Sequence, residues 1–137
     1  MQRKAMFPGS FDPFTRGHKA VVDEALKLFD KVVIAIGHNT QKRGLLTVER
    51  RKALIEQAYK GEERVAVIAY SSLTGDEARR IGATVIIRSA RNAQDFEYER
   101  TIALANRHIF PDIQTVVMIA PSEMEHISSS LVRELHT

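Results

Sequence analysis

The 137 residues, 44% of them hydrophobic, suit a single domain over residues 1–137 with one buried core, and contain no apolar run long enough to cross a membrane. The absence of cysteine excludes disulfides, thiolate nucleophiles and zinc–cysteine sites, and points to a cytoplasmic setting. The formal net charge of +3 comes from acids and bases interspersed as in "ERRK" and "YERTIALANR", the pattern of a solvated surface rather than a nucleic-acid face. The basic start "MQRK" runs at once into "PGSFDP", so no signal peptide is expected. In chain order, "KAMF" reads as a first strand. Residues 17–29 read as a helix, with Val21, Val22, Ala25, Leu26 and Phe29 on one side. "KVVIAIG" is a second strand, apolar on both faces as buried parallel strands are. Thr47 is placed to cap a helix over 48–59, with Glu49 in its first turn. "RVAVIAY" is strand three, 75–81 a short helix, "ATVIIR" strand four and 93–108 a longer helix. "QTVVMIA" is strand five, and "SSSLVREL" opens a last helix capped by serine.

Strands alternating with helices predict an α/β fold: a doubly wound, five-stranded parallel sheet with helices on both faces and right-handed crossovers. Such sheets bind ligands at the carboxyl ends of their strands, where strand order reverses. Four polar segments follow strands. After strand one comes "PGSFDPFTRGH", which is neither a GxGxxG fingerprint nor a Walker loop. Gly9 permits close backbone approach, Ser10 offers a hydroxyl and an N–H, and His18 falls in the first helical turn, where backbone donors favour an anion. His18 reads either as a donor to a phosphate oxygen or as a surface histidine beside a capping turn. After strand two, "HNTQKR" carries Lys42 and Arg43, either phosphate ligands or a solvated loop. Arg88 ends strand four and Arg91 follows one turn later. Arg88 reads either as a phosphate fork or as the partner of Asp95 or Glu99. After strand five, "HISSSLVREL" sets three serines at a helix start, with Arg133 on the next turn, more donors than a cap needs. No metal-ligand cluster and no covalent nucleophile is visible. Donors and cations gathered at strand ends suit phosphoryl-type transfer by positioning and charge stabilisation.

These segments carry a resemblance. "TRGH" at 15–18 resembles the T/HxGH signature of the nucleotidyltransferase superfamily, and "ISSSLVR" at 127–133 its ISSTxxR signature. With "FPGSFDPFTRGH", "IIRSAR" and "DFEYE", nearly the whole chain is similar to the bacterial phosphopantetheine adenylyltransferases of coenzyme A biosynthesis. The resemblance implies a Rossmann-like nucleotidyltransferase fold and transfer of the adenylyl group of ATP to 4'-phosphopantetheine. Dephospho-coenzyme A and pyrophosphate would form without a covalent intermediate. It implies Mg²⁺ held mainly by the ATP phosphates, coenzyme A as a feedback ligand, and a homohexamer. Its catalytic set is Ser10, His18, Lys42 and Arg91. Ser10, Lys42, Thr74 and Arg88 would hold the acceptor. Ser10, Phe11, His18, Ser89, Ala90, Arg91 and Glu99 would contact ATP, with Met124, Glu125, His126, Ile127, Ser128, Ser129 and Ser130 as a second nucleotide segment. Two departures stand out. "RSAR" replaces Arg-Gly-Leu/Ile-Arg, so Ser89 is strained if the family's glycine needs positive φ. Family members also continue past the position of Thr137 into another helical segment. The same chemistry with nicotinate mononucleotide or glycerol phosphate as acceptor, and a non-catalytic nucleotide-binding regulatory protein, are the alternatives.

Overall fold

A computed structural model describes residues 2–38 and 44–121. Its elements are β1 (Lys4–Gly9), α1 (Arg16–Ala25), β2 (Lys31–Gly37), α2 (Val48–Ala58), β3 (Val65–Tyr70), α3 (Thr74–Arg80), β4 (Val85–Ala90), α4 (Ala93–Ile109) and β5 (Gln114–Ile119). The sheet is parallel throughout, in the order β3-β2-β1-β4-β5. The chain starts at the central strand, winds outward through β2 and β3, then returns to the far side of β1 for β4. The reversal between β1 and β4 is the switch point at which such sheets hold ligands.

Strand residues alternate between two cores. Ala5 and Phe7 of β1 join Val32, Ile34 and Ile36 of β2 beneath Val21, Val22 and Ala25 of α1 and Ile55 of α2. Met6 and Ala35 point the other way, toward Ala78 of α3, Ile86 of β4, and Phe110 and Ile113 past the end of α4. Both faces are therefore covered, as the near-continuous apolar strands require. Gly75 admits α3 to the second core: a Cβ there would collide with the Phe110 ring.

Several boundaries differ from expectation, most of them by one residue. β1 runs on to Gly9 because its ladder with β2 continues to the pair Gly9–Ile36. β4 runs through Arg88 and Ser89 to Ala90, paired with Ile119 of β5. α1 ends at Ala25 rather than 29, because the Lys27 and Leu28 N–H groups bond only three residues back, to the Glu24 and Ala25 carbonyls (3.1 and 2.9 Å), and tighten the last turn. The predicted last helix lies outside the described residues.

Candidate active site

β1 and β4 pair only at Ala5–Val85 and Met6–Ile86, whereas β1 and β2 form six pairs. Their carboxyl ends open a crevice, with Gly9 and Ser10 on one bank and Arg88 to Arg91 on the other. The turn from β1 into α1 is tightly built. Phe11 holds a left-handed φ of 50° and is buried. A non-glycine residue keeps that conformation only where its surroundings enforce it. Its ring sits under Gly9, where a Cβ would press on it at 3.0 Å, and edge-on to Phe7 with centroids 5.2 Å apart.

Thr15 caps α1, and the histidine completes the cap. The Thr15 hydroxyl accepts the His18 N–H at 3.3 Å, and His18 Nδ1 accepts the Thr15 N–H at 2.9 Å. This is a capping box with histidine in the place of the usual Glu or Gln. The box decides the tautomer. An Nδ1 that accepts a backbone N–H carries no proton, so the neutral ring holds its proton on Nε2. Nε2 has no hydrogen-bond partner among the described residues. Phe14 stacks on the ring at 5.5 Å and Phe11 meets it edge-on at 5.0 Å. Burial, and then the positive charge of Arg91, hold the His18 pKa below its ordinary 6.5. At neutral pH the site therefore presents a fixed, uncharged N–H donor. One ring nitrogen thus caps the helix, and the other is left without a partner among the described residues.

On the opposite bank, Arg88 is half-buried and gripped by Glu99: Nε lies 2.5 Å from one carboxylate oxygen and Nη2 3.0 Å from the other. Glu99, not Asp95, is its partner. Glu99 is itself buried, and both its oxygens are engaged. Arg88 Nη1 has no hydrogen bond among the described residues. The Arg91 side chain is 74% exposed, and among the described residues its one ion pair is with Asp95 at 3.5 Å. Ser89 and Ala90 lie in β4, and Ser89 is not among the residues with positive φ, so the expected strain is absent. Its strand geometry is one that serine adopts freely.

A cleft of ≈ 910 Å³ opens over the carboxyl ends of β1, β2 and β3, with Ser10, Gly37, His38, Arg51 and Tyr70 in its wall. Thr74 stands at its border, its hydroxyl 3.0 Å from the Tyr70 hydroxyl. The fold thus brings Ser10 to this cleft and Thr74 to its edge, sets His18 within the field of Arg91, and binds Arg88 to Glu99. Lys42, Arg133 and the segment from Met124 to Ser130 lie outside the described residues. A smaller cleft, ≈ 460 Å³, lies by the ends of α1 and α2, lined by Lys19 and Tyr59.

Two residues without a role in the sequence reading prove central. Asp12 accepts the Leu45 and Leu46 N–H groups at 2.8 and 2.9 Å. Arg51, buried on α2, donates to the Leu46 and Ser10 carbonyls at 3.0 and 3.3 Å and lies 3.7 Å from Asp12. The available signal was that Arg51 falls one turn before Ile55, which puts a charge on the face that α2 buries. Among the described residues no group of three His, Asp or Glu could hold a metal ion. Asp12, two residues after Ser10, is committed to two amides. The donors at the crevice suit a polyanion rather than a bare cation.

Residues 6–135 match the model of the cytidylyltransferase-like family. The phosphopantetheine adenylyltransferase of Porphyromonas gingivalis is 50% identical over 131 residues, which cover 96% of this chain and 85% of that protein. That of Cytophaga hutchinsonii is 44% identical over 136 residues, 99% of this chain and 91% of that protein. Among solved structures, a bifunctional NMN adenylyltransferase/ADP ribose pyrophosphatase from Francisella tularensis superposes with a TM-score of 0.67 at 20% identity, over 90% of this chain and 40% of that one. That likeness speaks for the fold alone.

Proposed function

The chain belongs to the cytidylyltransferase-like family and, within it, to the phosphopantetheine adenylyltransferases, and from that membership we propose that it transfers the adenylyl group of ATP to 4'-phosphopantetheine. A phosphate oxygen of the acceptor attacks the α-phosphorus of ATP, the bond from that phosphorus to the β-phosphate oxygen breaks, and pyrophosphate leaves with dephospho-coenzyme A as the other product. The observation that carries this reading is the His18 box. A neutral Nε2–H, pinned at the mouth of α1, meets the charge that grows on the α-phosphate oxygens as the attack proceeds. Because the donor is already oriented, no reorganisation is needed at the moment of reaction.

Arg91, exposed and only loosely paired, is the cation free to follow the nucleotide phosphates. Phe11, Ser89, Ala90 and Glu99 are assigned to the nucleotide side, Glu99 acting through the arginine it holds. Ser10 and Thr74, at the cleft and on its border, are assigned to the acceptor. Arg88 is assigned there too, through its remaining Nη1 edge, together with Lys42. Met124 to Ser130 are assigned to ATP on the family resemblance. Mg²⁺ is assigned to the triphosphate, where it supplies charge neutralisation, and no described residue is given to it. Coenzyme A as a feedback ligand rests on the resemblance alone, and a cytoplasmic setting on the absence of cysteine. No described helix is long and apolar enough to cross a membrane. A homohexamer is supported by apolar residues left exposed on α4 and β5, namely Phe96, Tyr98, Leu104 and Ile119. Light scattering that finds a monomer at micromolar concentration would refute it.

The test of the reaction is pyrophosphate release with a panel of acceptors, using ATP and CTP in turn. Release with ATP and phosphopantetheine is expected. Turnover confined to nicotinate mononucleotide or glycerol phosphate, or none with any acceptor, would overturn the reading.

A further inference from the structure

The post-β1 turn, which carries Ser10 and Asp12 and leads into His18 on α1, and the segment 44–47, which leads into α2, form two walls of the large cleft. They come from opposite ends of the β2 unit, and in the described residues their side-chain link is the pair Asp12–Arg51. Asp12 reaches across to two consecutive amides of the second wall. Arg51 returns from α2, spending one nitrogen on the Leu46 carbonyl of that wall and another on the Ser10 carbonyl of the first. Gly44 closes the joint: a Cβ there would run into both the Asp12 carboxylate and the Arg51 guanidinium. The only room at that point is the room glycine leaves.

We infer that Arg51 is a positioning residue that, with Asp12, fixes the separation of the two cleft walls and the pose of the post-β1 turn, so that an acceptor phosphate enters in register with His18. The inference rests on the adenylyl-transfer reading for its kinetic consequence, but not for its structural one. The chain of contact is short. Arg51 holds the carbonyl of Ser10, the peptide that follows leads into Phe11 at its left-handed φ, and the Phe11 ring lies edge-on to His18. Arg51 sits in the wall of the cleft, but both its hydrogen bonds go to backbone carbonyls of this chain. Its planar fork is suited to holding two carbonyls and a carboxylate together, which a lysine's single point charge cannot do.

The test compares Arg51→Met and Arg51→Lys with the full chain. Steady-state kinetics with each substrate varied in turn should show kcat/KM for phosphopantetheine reduced roughly tenfold to a hundredfold in Arg51→Met, and less in Arg51→Lys. The dissociation constant for ATP should stay within about twofold of the parent value, which separates positioning from a general loss of fold. Should Arg51→Met fail to fold, Arg51→Lys, which keeps the charge opposite Asp12, is expected to show the same split in milder form. In parallel, proton NMR of the His18 ring, which lies beside Phe11 and Phe14, should show displaced ring-proton shifts in the variants, since the aromatic neighbours move with the turn. Kinetics within about twofold of the parent in a folded variant, or equal weakening toward both substrates, would overturn the inference. A parent enzyme inert toward phosphopantetheine would instead overturn the functional reading. In that event the NMR shifts alone decide, and unchanged shifts would sink the positioning role.

Discussion

The two banks of the crevice are built on opposite plans. The turn after β1 is closed: Phe11 is buried, His18 is hydrogen-bonded to its own cap, and Asp12 and Arg51 are tied to backbone. The exit of β4 is graded, with Arg88 locked to a buried carboxylate and Arg91, just past the strand's end, mostly in solvent. The first bank can present a donor in a fixed place, whereas the second can follow a ligand whose charge moves as pyrophosphate departs. Preorganised donors act where charge develops, and mobile cations act where charge is carried away.

If that contrast is right, the largest effect belongs to the rigid bank. His18→Ala should keep ATP binding near normal and lose ~10²–10³ in kcat, the usual cost of one placed donor. Calorimetry and single-turnover kinetics separate the two terms, and turnover surviving within a few-fold would reduce the histidine to a helix cap. Arg88→Ala should come next. It leaves Glu99 buried without its partner, and destabilisation of about 1–3 kcal/mol is expected in urea melts. Use of phosphopantetheine should fall by about one to two decades in kcat/KM, with ATP binding less affected. Arg91→Ala should leave stability within about 0.5 kcal/mol, as an exposed side chain should. If instead the two arginine variants melt alike, the graded description of this bank is wrong.

Arg91→Ala also carries a pH signature. In the parent, burial and then the charge of Arg91 hold His18 below 6.5. The folded chain thus resists protonation while the unfolded chain takes up a proton near its ordinary value, so this residue costs stability as pH falls below 6.5 and nothing above it. The acid limb of kcat/KM should lie below 6.5 in the parent and move up in Arg91→Ala, only in part, because burial remains the larger cause. A limb that stays in place would remove Arg91 from the neighbourhood of His18. The smallest effect is expected of Ser89→Gly. With Ser89 in ordinary strand geometry there is no strain to relieve, so ATP affinity should be unchanged or slightly tighter. Clearly weaker binding in calorimetry would mean the serine makes a contact of its own.

How far the sequence could be read follows from where the information is local. The strands are legible because buried parallel strands write themselves as apolar runs, and "KVVIAIG" became β2 without a change of boundary. The carboxyl ends are less legible. Arg88 reads as the end of strand four, yet ladder pairing with β5 carries the strand on through Ser89 and Ala90. Thr15-x-x-His18 has the spacing of a capping box, but the residue type hid it, and so the tautomer that the box enforces went unread. The choice between Asp95 and Glu99 as the partner of Arg88 depended on how α4 packs beside β4, a tertiary fact. The Asp12–Arg51 joint is further out of reach, because its halves lie on different elements and meet only after β2 has been laid down beside β1.

The central claim is that His18 is presented to the substrate as a neutral ring with its proton on Nε2. Nitrogen-15 NMR of the histidine ring in the unliganded chain at neutral pH measures this without any assumption about the reaction. The account predicts a protonated Nε2 and an Nδ1 that is unprotonated and hydrogen-bonded to the Thr15 amide. A ring protonated on Nδ1, or on both nitrogens at that pH, would contradict it.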